Sequence, residues 1–551
     1  MFSILPRTFL LVTVLVTVLV CAPAARAQTF SVLYDFDYAR NSDPTWFVPF
    51  GTLVQGRNGN IYTTSVLGGV NNNGTVFSMT PAGVLSAPLI LTFSYNAGGA
   101  DPDGGLTLGA DGNLYGAVGF VYNNVACNGL GSIFKITPGG SLTYLYTYPT
   151  TGTAGAPAQA PMQGTDGNFY GATPTAPDVC GVSVNGTIYK LTPSGTLTTL
   201  IESNGPLYVL AFQGTDGNFY GFDGWNPGSV FKITPSGKYT TIYQFDGTHG
   251  SQPVGIIQGA DGNFYGTTSS GGSNHDGVIF KLTPGGKITV LHNFAYTPDG
   301  WQPQSGVVQA TDGNLYGVTP NGGTAGFGSI YRIGPSGTNY SILYSFDGTT
   351  AATPEIALLQ HSNGLFYGLS FGGGLTCWYS QQCGTFYSFN MGLNPFVHLM
   401  STAGKVGAMV QVFGQGFTSA SAVSFGAAAA SFKVVSDTYL TATVPSGATT
   451  GAVTVTEAGG APASRKTFRV IPQVRSFTPA SGPAGTLVTI TGVSLTQSSR
   501  VAFGGIKAIS FAVNSDTQVT ATVPAGAKTG KIAITTSGGS SSSPGTFTVT
   551  P

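Results

Sequence analysis

The chain of 551 residues carries 21 basic and 21 acidic side chains, and charged residues make up only 8% of it. This low and balanced charge excludes a basic surface for nucleic acid and a polybasic membrane-binding segment. The length predicts several domains, each large enough to bury a core of its own. The 82 glycines fall at regular turn positions between runs rich in Val, Ile, Phe, Tyr and Thr, which is typical of folded β structure.

The first 27 residues predict a signal peptide. Arg7 precedes an apolar stretch from Leu10 to Val20, and Ala25-Arg26-Ala27 fits a small-residue cleavage site. The apolar stretch is shorter than the about 20 residues that a membrane span requires. We therefore expect cleavage after Ala27 and a mature, secreted or cell-surface chain without a transmembrane segment.

A six-residue phrase recurs down two thirds of the chain, and its best copy is Asp261-Gly262-Asn263-Phe264-Tyr265-Gly266. Seven copies follow one another with a period of about fifty residues, as in propellers and solenoids. Each unit predicts four short strands with turn residues between them, which is typical of a propeller blade. In the fifth unit these strands are Val254–Gln258, Asn263–Gly266, Val278–Leu282 and Lys287–Phe294. The sequence therefore predicts an all-β protein with a seven-bladed β-propeller over residues 28–393.

The segment Thr29–Asp37 resembles the fourth strand of a repeat unit, although it precedes the first unit. Such a strand can pair with a last, three-stranded blade and leave no open sheet edge. We expect Phe30–Phe36 to lie beside the strand around Phe386–Phe389 and to close the ring. The competing segment, Phe396–Met400, is assigned to the domain that follows.

Two copies of a different unit follow, at 394–471 and 472–551. Ser436–Pro445 recurs as Ser515–Pro524, and apolar residues alternate in the strands. This pattern predicts two immunoglobulin-like β-sandwiches. Only Val470-Ile471-Pro472 separates them, and so short a linker favours a stiff tandem.

These phrases together carry two family resemblances. The Asp-Gly-Asn, Phe-Lys-[Ile/Leu]-Thr-Pro-x-Gly and Leu-Tyr-x-Phe-Asp-Gly phrases resemble the GloVer tandem repeat of choice-of-anchor secreted bacterial proteins. The C-terminal units resemble the IPT/TIG immunoglobulin-like domain, through the Val-x-Phe-Gly-Gly phrase around Phe503 and the repeated Ser-Asp-Thr-x-[Leu/Val]-Thr-Ala-Thr-Val-Pro. The resemblance implies an exported repeat protein, and it implies no reaction and no defined site.

No motif predicts a catalytic residue, a metal site or a cofactor. The repeated Asp of Asp-Gly-Asn suits a calcium ligand by type, but a tight turn explains the phrase without a metal. The five histidines show no metal-ligand spacing. Acidic residues in the loops suit a glycosidase or lyase, but their spacing selects no pair. They are Asp101, Asp103, Asp223, Asp299 and Glu355.

The two sides of the predicted disc differ. One side carries only short Asp-Gly and Pro-x-Gly turns, whereas the other carries every long loop, and binding residues concentrate on such loops. The predicted ligand-binding residues are Trp46, Trp225, Trp301, Trp378, Tyr379 and Tyr122, with Phe327 beside them. Aromatic faces there suit stacking on sugars or anchoring a protein partner. The alternative is that each tryptophan packs its own loop.

Export into an oxidising compartment predicts two disulfides from the four cysteines of the mature chain. Cys377 and Cys383 lie in one loop, and Cys127 and Cys180 occupy the same loop of adjacent repeats. The alternative is four free thiols.

The sequence favours a secreted or cell-surface binding or scaffolding protein, with the propeller as recognition head for a carbohydrate or protein ligand and the sandwiches as a stalk. Two alternatives stay open: a carbohydrate-active enzyme that uses the long-loop side, and a purely structural surface-layer component.

Overall fold

The computed structural model describes residues 28–36, 51–66, 68, 73–85, 91–93, 99–102, 104–119, 131–149, 157, 159–173, 176–179, 182–203, 208–224, 226–297, 299–374 and 384–551. Within these ranges the regular structure is β-strand, apart from one 3-10 turn at Phe417–Ser419. The all-β prediction is confirmed.

The repeat region of the described chain contains seven four-stranded antiparallel sheets, numbered here in chain order. Sheet 1 comprises Val54–Gln55, Ile61–Ser65, Thr75–Met79 and Leu91–Thr92. Sheet 2 comprises Leu106–Leu108, Leu114–Val118, Ser132–Ile136 and Leu142–Thr147. Sheet 3 comprises Met162–Gln163, Phe169–Thr173, Gly186–Leu191 and Leu197–Ser203. A hairpin, Ala176–Val179 with Val182–Val184, extends from sheet 3.

Sheets 4 and 5 comprise Tyr208–Gln213, Phe219–Asp223, Ser229–Ile233 and Tyr239–Gln244; and Ser251–Gln258, Phe264–Ser270, Val278–Leu282 and Ile288–Asn293. Sheets 6 and 7 comprise Val308–Gln309, Leu315–Thr319, Ser329–Ile333 and Ser341–Ser345; and Leu359–Gln360, Phe366–Ser370, Thr385–Asn390 and Thr29–Asp35. These sheets form the predicted propeller; the number of blades stays a prediction.

The Asp-Gly-Asn phrase is a turn held by its own side chains. Asp261 Oδ1 accepts a hydrogen bond from Asn263 N at 3.1 Å, and Oδ2 accepts one from the Tyr265 hydroxyl at 2.9 Å. Gly262 adopts the left-handed conformation, with φ 81°, which glycine reaches without strain. The predicted turn is therefore confirmed, and the hydroxyl bond explains why tyrosine recurs in the phrase.

Second and third strands form the buried part of each sheet. In sheet 5 every residue from Phe264 to Thr268 is buried, and so are Val278, Ile279 and Phe280. A Cβ at Gly266 would collide with the ring of Phe280. The glycine of the repeated Tyr-Gly step thus lets the third-strand aromatic ring lie across the second strand.

A ladder of glutamines joins the sheets on the turn side. In six sheets the first strand ends in a glutamine whose Oε1 accepts a hydrogen bond from a turn N–H of the preceding sheet. The pairs are Gln163 with Ala110, Gln213 with Thr165, Gln258 with Thr215, Gln309 with Ala260, Gln360 with Thr311, and Gln55 with Ser362. The last pair joins sheet 1 to sheet 7, so the ladder crosses the point where the ring closes.

The N-terminal strand closes the ring as predicted. Thr29–Asp35 pairs antiparallel with Thr385–Asn390 as the outer strand of sheet 7. The Phe30 ring stacks on Tyr344 of sheet 6 at 4.0 Å, and Phe36 is fully buried near Phe77 of sheet 1. One strand therefore links sheet 7 to both of its neighbours.

The C-terminal region forms two sandwiches. The first comprises His398–Leu399, Met409–Phe413, Tyr439–Thr443 and Phe432–Ser436 in one sheet, Ala428–Ala430, Ala422–Phe425 and Val453–Thr456 in another, and the pair Ala403–Gly404 with Arg469–Val470. The assignment of Phe396–Met400 to this domain is confirmed by its pairing with Met409–Phe413.

The second sandwich comprises Gln473–Thr478, Leu487–Val493, Gln518–Thr522 and Phe511–Ser515, packed on Ser481–Gly482, Gly539–Val549, Gly530–Thr536, Ser498–Phe503 and Ile506–Lys507. Gln497 accepts a hydrogen bond from Thr450 N at 2.8 Å. This contact adds a cross-link to the three-residue linker between the two sandwiches.

The first sandwich is docked on the turn side of the propeller, where the glutamine ladder is interrupted. Sheet 2 has Leu108 in place of the glutamine. Arg57, in the turn of sheet 1, donates hydrogen bonds to Ala110 O of sheet 2 at 2.7 Å and to Gln411 Oε1 of the sandwich at 2.6 Å. The Gln411 amide donates to the same carbonyl at 2.5 Å. The sandwich side chain therefore bridges sheets 1 and 2.

An aromatic side chain anchors this contact. Phe413 points away from the core of its own sandwich and is only 2% exposed, in one apolar cluster with Phe93 and Leu108 of the propeller. Its ring stacks on Tyr439 at 5.3 Å, and the Arg57 guanidinium lies 4.8 Å from the Tyr439 ring centre. Burial of Phe413 therefore joins the first sandwich to one apolar cluster of the propeller.

Further contacts extend the interface across the turn side. Ser362 of sheet 7 accepts a hydrogen bond from Phe396 N and donates one to Gly414 O. Arg469 donates to Thr215 O of sheet 4. The first sandwich thus lies across turns of four different sheets, and it is packed against the propeller instead of standing away from it.

Candidate functional site

The side of the propeller opposite the first sandwich carries the loops between second and third strands and the connections between sheets. We call it the loop side. The interdomain hydrogen bonds described above all end on turns, and none of them reaches the described residues of the loop side. This side is therefore the candidate binding surface.

Three of the described connections on the loop side enter the next sheet through a left-handed residue before a proline. Gln252 and Gln302 have φ angles of 56° and 50°, and their N–H groups donate to Pro227 O and Asp276 O of the preceding loop. Thr353 repeats the arrangement, with φ 53° and a bond to Phe327 O at 2.8 Å. These bonds hold the connections firmly on the loops beneath them.

Trp301 lies on the loop side in the connection from sheet 5 to sheet 6. The backbone N–H of Trp301 donates to Asn321 O at 3.2 Å, and the centre of its ring lies 5.5 Å from that of Tyr296. Tyr296 is 63% exposed and Trp301 is partly exposed. Trp301 therefore packs against Tyr296 in its own loop and stays partly exposed, and its role in ligand binding stays a prediction.

Phe327 is 45% exposed in the loop that Trp301 contacts through Asn321. Its ring lies over Gly348, where no side chain intervenes. The other predicted aromatic residues, Trp46, Trp225, Trp378, Tyr379 and Tyr122, lie outside the described residues. The same holds for the predicted disulfide cysteines Cys377, Cys383, Cys127 and Cys180.

A partly buried polar cluster supports the connection that carries Trp301. His292 Nε2 lies 2.7 Å from Asp299 Oδ2, and that oxygen also accepts a bond from Ala295 N at 3.2 Å. The Tyr340 ring stacks on His292 at 3.6 Å. Burial and the nearby Asp299 charge raise the pKa of the Tyr340 hydroxyl above its ordinary value. The cluster fixes both ends of the turn that precedes Trp301.

The sequence contained a signal for this cluster that was missed. His292 occupies the position of Tyr344 in the next outer strand, where Tyr344 stacks on Phe30 at 4.0 Å. The histidine is therefore a packing residue of the repeat that has gained a carboxylate partner. Comparison of Leu291-His292-Asn293-Phe294 with Leu343-Tyr344-Ser345-Phe346 would have found it.

Two of the acidic loop residues that the structure describes have separate hydrogen-bond partners. Asp299 is paired with His292, and Asp223 accepts a hydrogen bond from the Ser229 hydroxyl. Burial raises the pKa of the carboxyl groups of Asp101 and Glu355 above their ordinary values. Asp103 lies outside the described residues. Among the residues that the structure describes, no three His, Cys, Asp or Glu side chains come together as metal ligands.

The repeated aspartates keep to their turns. Burial acts to raise the pKa of the Asp166 carboxyl, but hydrogen bonds from Asn168, Tyr170 and Lys190 outweigh it and lower the pKa to about 2. The side chains of Asp261, Asn263, Lys281 and Tyr265 repeat this arrangement, again with a pKa of about 2. Every carboxylate oxygen with a described contact thus serves the turn.

Fold and surface together define a β-propeller protein with a docked immunoglobulin-like domain. A protein-family model for the Gloeobacter/Verrucomicrobia repeat matches residues 19–224 and 208–430, and a model for the IPT/TIG domain matches residues 395–470 and 472–549. The chain belongs to the Gloeobacter/Verrucomicrobia repeat family and carries two IPT/TIG domains. Both family predictions are confirmed.

Solved structures resemble the chain only distantly. The extracellular domain of a protein described as a hybrid two-component system of B. thetaiotaomicron is 11% identical, with a TM-score of 0.45, over 80% of this chain and 58% of that one. An oligogalacturonate lyase from Vibrio parahaemolyticus is 10% identical, with a TM-score of 0.43, over 66% of this chain and 97% of that one.

The surface glycan-binding protein PbSGBP-B from Prevotella bryantii is 19% identical, with a TM-score of 0.22, over 28% of this chain and 41% of that one. At these values the likenesses carry no argument about ligand or reaction. No curated protein matches the chain. Within the described part of the chain, no helix has the length and apolar character of a membrane span.

Proposed function

We propose that the protein is an exported binding protein that holds its ligand on the loop side of the propeller. The main support is the division of the two sides: the first sandwich occupies the turn side, whereas the loop side presents exposed aromatic residues. Its family, its IPT/TIG domains and its N-terminal leader pattern fit a surface protein.

The described surface has the chemistry of a recognition site. Tyr296 and Phe327 expose large apolar faces, and the Trp301 ring lies beside Tyr296. Aromatic side chains dominate binding energies because they bring a large contact area at little cost in conformational entropy. The hydrogen bonds beneath them hold the connections rigid, so that the surface is formed before the ligand arrives.

Replacement of Tyr296 and of Trp301 by Ala, singly, in the mature chain from residue 28 to residue 551 tests this function. The whole chain is used because Phe413 of the first sandwich belongs to the propeller core. Leu487→Ala is the matched control, since Leu487 is an equally exposed apolar residue, at 62%, in the second sandwich.

Binding is measured to an array of neutral and acidic glycans and to envelope fractions, with thermal unfolding as a check of the fold. We expect binding at least about tenfold weaker in both aromatic variants, and parental binding in the control. Parental binding by both aromatic variants would disprove the proposed site. Tyr296→Ala keeps the test valid if Trp301→Ala unfolds the chain.

A further inference from the structure

An open cavity of about 1040 Å³ runs from the loop side, between sheets 4 and 5, along the outer strand of sheet 5. The connection Asp246–Ser251 forms one wall, and the loop from Ser270 to His275 forms the other. Ile288 and Val290 of the outer strand of sheet 5 line its apolar part. Its size is at the upper end of the range for small-molecule sites.

Ser251, one of the residues that line the cavity, has an aromatic counterpart one repeat later. Ser251 immediately precedes the left-handed Gln252 and lies opposite Ser270, and Trp301 immediately precedes the left-handed Gln302 and lies opposite Asn321. The two residues are therefore structurally equivalent. The small Ser251 side chain leaves room at the boundary of sheets 4 and 5 where Trp301 contributes an indole ring at the next boundary.

The cavity wall carries a fixed polar pair. Asp246 Oδ1 accepts a hydrogen bond from His249 N at 2.8 Å, and Asp246 Oδ2 lies 2.8 Å from His249 Nδ1. Both side chains are nearly half exposed. With Nδ1 engaged, Nε2 is the ring atom that remains for a ligand, while the carboxylate keeps lone pairs to accept ligand hydroxyls.

The rest of the lining is rich in neutral polar groups. Thr248, Ser251, Ser273 and Asn293 contribute hydroxyl or amide groups, and His275 is exposed at the rim. None of the described lining residues is lysine or arginine, so the only fixed charge is the Asp246 carboxylate. Such a lining disfavours anions and suits a ligand whose groups both donate and accept hydrogen bonds.

We infer that this cavity is a binding site for a neutral oligosaccharide. Asp246 and His249 hydrogen-bond the sugar hydroxyls from one wall, the serine hydroxyls do so from the other, and Ile288 and Val290 cover the apolar face of a ring. The inference rests on the proposed function, because that proposal assigns ligand binding to the loop side of the propeller. It adds the ligand class and a second group of residues, distinct from Tyr296 and Trp301.

The test uses the mature chain and a panel of cellohexaose, xylohexaose, mannohexaose and chitohexaose, with oligogalacturonate and a heparin hexasaccharide as acidic counterparts. Calorimetry measures the affinity. Ser251→Trp places in the cavity the residue found at the equivalent position of the next connection. His249→Ala is the second variant, because a half-exposed side chain is removed without disturbing the core.

We expect at least one neutral hexasaccharide to bind, with affinity lowered at least about tenfold in both variants. The absence of binding to all four neutral sugars, a preference for the acidic ones, or parental affinity in His249→Ala would overturn the inference. If Tyr296→Ala loses affinity for the sugar and His249→Ala keeps the parental affinity, the cavity is not the binding site, and the proposed function still stands. If His249→Ala loses affinity for the sugar and Tyr296→Ala keeps the parental affinity, the result supports the cavity as the binding site and contradicts the site proposed at Tyr296 and Trp301.

Discussion

Phe413→Thr should separate the first sandwich from the propeller. The replacement is the residue that the protein itself uses in the second sandwich: Phe413 pairs with Tyr439 across the strands of the first, and Thr491 pairs with Gln518 at the equivalent place in the second. The sandwich core should survive, because Phe413 does not belong to it. What is removed is the contact with the propeller.

The size of the effect follows from the burial of the ring. A phenylalanine buries about 150 to 250 Å², which is worth about 4 to 6 kcal/mol at about 25 cal/mol per Å². Measured losses for removal of a buried phenylalanine ring are about 3 to 5 kcal/mol. Threonine retains part of the contact, so we expect a loss of about 3 kcal/mol in coupling between the two domains.

Differential scanning calorimetry measures this coupling. We expect the propeller and the first sandwich to unfold together in the parent protein, and the sandwich to unfold separately at lower temperature in Phe413→Thr. Thr491→Ala is the matched control and should leave the coupling between propeller and first sandwich unchanged, since the Thr491 hydroxyl bonds to Ser476 within the second sandwich. A profile for Phe413→Thr that matches the parent would refute the role given to the ring.

Three further predictions concern the propeller itself. Deletion of residues 28–37 should expose a sheet edge and cause aggregation or a sharp loss of thermal stability; a deletion variant that melts like the parent would contradict ring closure by this strand. The carboxyl pKa values of Asp166 and Asp261, about 2, lie below the about 3.9 of an unfolded chain, so their stabilisation is present above pH about 4 and is lost as the pH falls towards 2. Replacement of both aspartates by Asn, the residue that Asn58 supplies in the first repeat, should therefore make the denaturant midpoint decline less steeply with falling pH. An unchanged decline would contradict the stabilisation assigned to the two carboxylates. Thiol titration of the unfolded, unreduced mature protein should find no free thiol, and four reactive thiols would exclude both predicted disulfides.

The parts predicted correctly from the sequence depend on short-range chemistry. Asp261, Asn263 and Tyr265 satisfy one another within five residues, and the same phrase makes the same turn in five repeats. The ring-closing strand was recognisable because Thr29–Asp35 matches the outer strands in type and order. Alternating apolar residues marked the sandwich strands because one face of each strand is buried.

The candidate site was predictable only in part. Residue type and loop position pointed to Trp301 on the loop side, but the stacking partner Tyr296 and the support from His292 and Asp299 depend on how two sheets meet. The cavity at Ser251 had no signal in the sequence, because a serine before Gln252 is an ordinary loop residue until the equivalence with Trp301 is seen.

The sequence by itself determined the strands, the turns, the order of the repeats and the two sandwich domains, since each follows from side-chain patterns a few residues apart. Only the tertiary structure decided that the first sandwich covers the turn side. Gln411 and Phe413 alternate with buried residues and so belong to the face that a sandwich normally exposes to water. Phe413 is buried in one cluster with Leu108, which replaces the glutamine of the other sheets and lies about three hundred residues earlier, and no local pattern connects two positions that meet only after the chain has folded.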